Sequence, residues 1–92
     1  EVCLPLRIEL AQNFPNPFNP TTVIRYALAQ RSFVTLKVFD IAGREVAVLF
    51  EGEAATGSHS VHWNAAHLSS GVYFYRLSTD AGVKTKKLML LK

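Results

Sequence analysis

Punctuation constrains this chain more than any other feature. Turn-forming residues interrupt it roughly every 8–12 residues, and the segments between them alternate or are rich in β-branched and aromatic side chains. "TTVIRYAL" (21–28), "FVTLKVFD" (33–40), "EVAVLFE" (45–51), "SHSVHWN" (58–64), "VYFYRLS" (72–78) and "VKTKKLMLLK" (83–92) read as strands, with "LRIEL" (6–10) a weaker first one. In "IAGR", Gly43 suits the left-handed position of a three-residue hairpin, and "TDAG" carries the hairpin chemistry of Asp80 and Gly82. "GEAATG" (52–57) and "AAHLSSG" (65–71) read as loops. No stretch sustains a helical period, and "ALAQRS" bridges two strands. About seven strands so spaced predict an all-β chain, an antiparallel β-sandwich.

Alternation assigns faces. It sets Val46, Val48 and Phe50 against Glu45, Ala47 and Leu49, and His59, Val61 and Trp63 against Ser60, His62 and Asn64. Tyr73, Tyr75 and Leu77 share one face. The core is therefore expected to hold Trp63, Tyr73 and Tyr75, with Gly71 beside them.

The stretch "NFPNPFNPTT" (13–22) is more rigid than a strand connection needs. Pro15, Pro17 and Pro20 fix their own φ and push Phe14, Asn16 and Asn19 towards extended backbone. The asparagine amides are expected to bond backbone groups that the prolines leave unpartnered. Phe14 and Phe18 are expected to plug the open end of the sandwich. Phe14 to Pro20 thus read as a preordered cap, which costs less entropy to fix than a flexible loop.

Ninety-two residues, 49% of them hydrophobic and 18% charged, suit one small globular domain with little surface to spare for a deep cleft. The opening "EVCLPLRIEL" lacks an initiator Met and a signal segment, and is read as the start of a piece from the C-terminal end of a longer protein. Residues 1–9 are then linker and weak first strand from that upstream protein, and 10–92 the domain. No apolar run approaches the ~20 residues of a membrane-spanning helix. Cys3 is the sole cysteine, so no internal disulfide forms.

Nothing in the pattern assembles a catalyst. His59 and His62 are three apart on a strand and face opposite ways, and His67 sits in a loop, so metal ligation is not expected. Ser58, Ser60, Ser69 and Ser70 lack a nucleophile-elbow context, and the carboxylates Asp40, Glu45, Glu51, Glu53 and Asp80 flank turns. Phosphate-binding and calcium-binding loops are absent from the sequence. No cofactor and no small-molecule substrate are expected. The net charge of +3 is a small field without interleaved aromatics, which argues against nucleic acid.

Lys84, Lys86, Lys87 and Lys92 crowd the end of the chain. On a strand, Lys84 and Lys86 share a face with Leu88 and Leu90, and Lys87 shares the other with Thr85, Met89 and Leu91. Lysines there protect a sheet edge from pairing, or offer a basic tag to a receptor.

Five blocks in order, "NFPNPFNPTTVIRYAL", "VTLKVFDIAGREVAVL", "GSHSVHWNA", "LSSGVYFYRL" and "KTKKLMLLK", resemble the type A C-terminal sorting domain of the type IX secretion system. They are also similar to the related Ig-like domain of the flagellar hook-capping protein. The resemblance covers about Leu10 to Lys92, and its N-x-F-N-P-x-T and G-V-Y-F-Y-R-L motifs are specific. It departs in two places: Ala65 follows Asn64 where a glycine is common, and Phe50 replaces a small aliphatic.

The resemblance implies an Ig-like sandwich and a non-catalytic domain that directs attached cargo to the cell surface or medium. It implies passage through the periplasm, recognition by an outer-membrane secretion translocon, and removal by a sortase-like cysteine peptidase, with retention in some lineages. Translocon recognition is expected at Lys84, Lys86, Lys87 and Lys92, and cleavage within or before residues 1–12. Two other readings compete. Trp63 with Tyr73 and Tyr75 would form a sugar-stacking platform in a carbohydrate-binding accessory domain, and a structural Ig-like spacer would self-associate.

Overall fold

Alternation decides which side of each strand is buried, and seven strands follow from it. In a computed structural model that describes residues 8–91 they are β1 (Ile8–Leu10), β2 (Thr21–Leu28), β3 (Ser32–Phe39), β4 (Glu45–Ala54), β5 (Gly57–Asn64), β6 (Gly71–Thr79) and β7 (Gly82–Leu90). The expectations for Cys3, for the residues before Ile8 and for Lys92 fall outside the described residues.

Two antiparallel sheets form, one ordered β1-β2-β5 and the other β4-β3-β6-β7. In β2, Thr22, Ile24, Tyr26 and Leu28 are buried, and β6 sends Tyr73, Tyr75 and Leu77 inward as its alternation requires. Val34, Leu36 and Val38 of β3 and Leu88 and Leu90 of β7 complete the floor of the larger sheet, all at 0% exposure. Each such aliphatic side chain contributes roughly 1.5–3 kcal/mol by leaving water. β1 is short, but it pairs Ile8 with Leu28 and Leu10 with Tyr26, and both of its apolar residues are buried. An expected boundary between residues 9 and 10 therefore falls inside a paired strand.

The turns obey local chemistry. Gly43 has φ +88° in the β3–β4 hairpin, where Asp40 Oδ1 accepts the N–H groups of Ala42 and Arg44. Arg44 Nε adds a bond to Asp40 Oδ2 at 3.1 Å. These donors, the Arg44 N–H first, hold the Asp40 carboxyl below its usual pKa. Asp80 and Ala81 alone separate the Thr79–Gly82 pair that closes the β6–β7 hairpin.

Three sequence expectations change. β4 continues through Ala54, because β3 pairs with Glu51–Ala54, so the expected 52–57 loop shrinks to the residues between β4 and β5. Register shifts between Leu36 and Lys37, and between Val38 and Phe39, insert extra residues in β4 and break its two-residue alternation. Val48 is consequently 46% exposed. Gly71 is not core: it is half-buried at the start of β6 opposite Leu90, with φ +152° and open space where a Cβ would stand. Its backbone angle, rather than packing, asks for glycine.

Candidate functional site

The proline stretch and the last strand form one unit. β7 lies at the edge of the larger sheet, and the residues after β1 cross over to meet it. Gln12 Nε2 donates to the Lys87 carbonyl at 2.7 Å. Asn16 Oδ1 accepts the Met89 N–H at 3.0 Å. The Phe18 N–H bonds the Met89 carbonyl at 3.0 Å, and the Leu91 N–H bonds the Phe18 carbonyl at 2.9 Å. The edge is thereby sealed from Lys87 onward, and among the described residues the loop makes no bond to Val83–Lys86.

A buried polar knot anchors this loop. Asn13, 2% exposed, donates through Nδ2 to the Pro15 carbonyl and to Thr22 Oγ1, at 3.1 and 3.0 Å. Thr22 donates in turn to the Pro15 carbonyl, and Gln12 Nε2 reaches Asn13 Oδ1. The Tyr75 hydroxyl, from the middle of β6, donates to the Ala11 carbonyl at 2.7 Å and accepts the Asn13 N–H at 2.9 Å. Burial pushes the Tyr75 pKa up to about 12, against the opposing pull of that Asn13 N–H.

Of the expected cap residues, Phe18 is buried at 2% and its ring lies 5.9 Å from that of Trp63, tilted by 44°. Phe14 is a correction. Its backbone pairs with Val23 through two 3.0 Å bonds, which turns its side chain outward to 72% exposure. Pro15, Asn16, Pro17 and Asn19 are exposed, and Pro20 accepts the Ala65 N–H. The cap works mainly through backbone carbonyls and one long-range asparagine amide, not through two aromatic plugs. The Asn13 amide on the Pro15 carbonyl is the kind of bond expected of the asparagines in this stretch, whereas the parts played by Gln12 and Thr22 escaped the sequence reading. Their signal was the pair of polar residues flanking the proline run.

Trp63 and Tyr73 are each 7% exposed and Tyr75 is fully buried, so the aromatic platform is not at the surface. Tyr73 instead donates its hydroxyl to the Ser69 carbonyl at 2.7 Å, the corner that immunoglobulin-like domains build before their sixth strand. The two sequence departures are accommodated. The Ala65 methyl is fully buried and Asn64 Oδ1 accepts the Ala66 N–H, while Phe50 packs against the core over Gly52. His62 is exposed and His59, half-buried, stacks on Tyr26 at 5.2 Å, so the two face opposite ways.

Lys84 and Lys87 are exposed and Lys86 is half-buried. The ion pairs among the described residues are Arg31–Glu53, Lys37–Glu45 and Arg44–Asp40, and none includes a β7 lysine. β7 thus carries cations on both faces of an edge strand.

Two sheets of three and four strands, with that tyrosine corner, define an immunoglobulin-like β-sandwich, and among its described residues no three His, Cys, Asp or Glu side chains gather as a metal would need. Residues 12–91 match the family described as the secretion system C-terminal sorting domain, and the chain belongs to that family. Membership in that family indicates export to the cell surface or the extracellular space. Among solved structures, dimeric latent PorU from Porphyromonas gingivalis resembles it at 18% identity with a TM-score of 0.74, over 97% of this chain. PorZ, an essential surface component of the type IX secretion system of the same organism, resembles it at 25% identity with a TM-score of 0.59, over 88% of this chain. The chain spans 10% and 11% of those two proteins' lengths. No curated protein sequence matches it.

Proposed function

We propose that this chain is a non-catalytic sorting domain that carries an attached cargo protein through the type IX system, with β7 as the element the outer-membrane translocon grips. The observation that carries the reading is the set of uncompensated lysines, Lys84, Lys86 and Lys87, on the edge strand of a chain in the sorting family. Long basic side chains flanking an edge steer towards an acidic receptor, an attraction that weakens with salt. Lys92 extends the same address. A sortase-like cysteine peptidase then acts on the chain ahead of the sandwich, releasing or anchoring the cargo.

Removing residues 83–92 is a poor test, because Leu88 and Leu90 are core and their loss unfolds the domain. Charge reversal is cleaner: Lys84→Glu, Lys86→Glu and Lys87→Glu together leave the core intact. A cargo fusion carrying the triple variant is expected to accumulate in the periplasm, with an unchanged thermal midpoint for the purified domain. Surface display at the unmodified level would overturn the assignment. A carbohydrate-binding role gains no support, since Trp63 and Tyr75 are committed to the core.

A further inference from the structure

The outer face of the four-stranded sheet holds a second arrangement, away from the proline loop. Strand register sets Lys37, Arg76 and Thr85 in one cross-strand row and Phe39, Phe74 and Lys87 in the next. Between them runs a groove of about 340 Å3, bordered by Phe39, Asp40, Ile41, Phe74, Arg76 and Thr85. The Arg76 guanidinium carbon lies 4.3 Å from the centroid of the Phe39 ring. Cation–π attraction holds the guanidinium over the ring, and a guanidinium so held still has N–H groups to fork onto an anion.

The charges around the groove are lopsided. Arg76 and Lys87 have no carboxylate within ion-pair distance among the described residues. Asp40, at the rim, is already engaged by Arg44 and by the Ala42 N–H. Beside these cations lies apolar surface: Ile41, at 79%, is the most exposed large hydrophobic residue described, and Phe39 and Phe74 are half-buried. A planar cation next to an open apolar strip suits a carboxylate with an apolar neighbour in an extended chain.

We propose that this groove docks an acidic segment of a protein partner, with a carboxylate forked onto Arg76 and an adjacent apolar side chain laid across Phe39, Phe74 and Ile41. The site uses no residue of the sorting address except Lys87 at its margin, and stands whether or not β7 is gripped by a translocon.

The test titrates a fluorescein-labelled peptide of alternating leucine and glutamate into the 92-residue chain, with amide and arginine side-chain resonances followed by NMR. Saturable shifts are expected at Phe39, Ile41, Phe74 and Arg76. Arg76→Gln is expected to weaken binding about tenfold, and Arg76→Lys to recover only part of that, because lysine keeps the charge without the planar fork. Arg25→Gln, on the other sheet, should leave affinity unchanged. Thermal melting of each variant separates lost binding from lost fold. Failure of the peptide to bind overturns the proposal, as does equal binding by Arg76→Gln. Tighter binding to phosphatidylglycerol vesicles with the same shifts would assign the groove to a membrane instead. Concentration-dependent shifts of the chain alone would assign it to a second copy. Either result excludes the acidic segment as occupant.

Discussion

The Tyr75 hydroxyl reaches across the sandwich and holds two backbone groups of the loop that follows β1, the Ala11 carbonyl and the Asn13 N–H. Burial makes ionisation there costly, and its pKa rises to about 12 from an ordinary value near 10. Below about pH 10 the phenol is protonated folded or unfolded, so its contribution is fully present. Between about 10 and 12 only the unfolded chain releases the proton, and stability falls as pH rises through that window. The loss attributable to Tyr75 is about 2–3 kcal/mol at its end, by the linkage of one pKa unit to 1.36 kcal/mol. Tyr75→Phe strands the buried Asn13 N–H and is expected to cost about 1–3 kcal/mol at neutral pH. It should also flatten the alkaline decline relative to the unmodified chain. Urea unfolding of both proteins at pH 8 and pH 11 checks the pair of outcomes: equal alkaline slopes would deny Tyr75 its role. The alternation of β6 showed in the sequence that Tyr75 points inward. It gave no sign of what the hydroxyl meets there, because Ala11 and Asn13 are more than 60 positions away in the chain. Phe14 and Phe18 were indistinguishable for a related reason, since only the pairing of Phe14 with Val23 turns the first ring outward.

Among the elements, the proline loop acts as a partial edge strand. Open β-edges invite pairing with other chains, and proteins cover or charge them. Here β7 is treated in both ways, covered from Lys87 to Leu91 and charged at Lys84, Lys86 and Lys87. The Asn16 amide is one of two side-chain clasps in that cover, the other being Gln12 on the Lys87 carbonyl. Asn16→Ala should cost no more than about 0.5–1.5 kcal/mol, one net hydrogen bond at an exposed residue. The Met89 amide, however, should exchange with solvent markedly faster while Leu88 and Leu90, bonded within the sheet, keep their protection. Uniform loss along β7 would mean that the loop folds as part of the core rather than as a separable cover. β6, β7 and the two hairpins were legible from alternation and turn chemistry, since both are local. β4 was not, because its length and its extra residues are dictated by pairing with β3, which overrides the two-residue period.

For the molecule as a whole, β1 is the first strand among the described residues, and its pairing bears on where the proposed processing peptidase can act. Ile8 and Leu10 are 5% and 7% exposed, and the strand between them is hydrogen-bonded to β2. A peptidase needs several residues of extended, accessible chain, and a bond inside β1 becomes accessible only if the strand leaves the sheet. That opening uncovers two large aliphatic side chains and costs roughly 3–6 kcal/mol by area removed from water. Scission is therefore expected upstream of Ile8, in the stretch the sequence reading gave to linker and weak first strand, rather than across the full range of residues 1–12. A chain lacking residues 1–10 should be less stable than one lacking residues 1–7 by about that same 3–6 kcal/mol. Guanidinium unfolding of the two truncations measures the difference, and N-terminal sequencing of domain released by cells expressing a cargo fusion locates the cut. A released domain beginning at Gln12 or later, together with truncations of equal stability, would show that β1 belongs to the cargo side of the boundary.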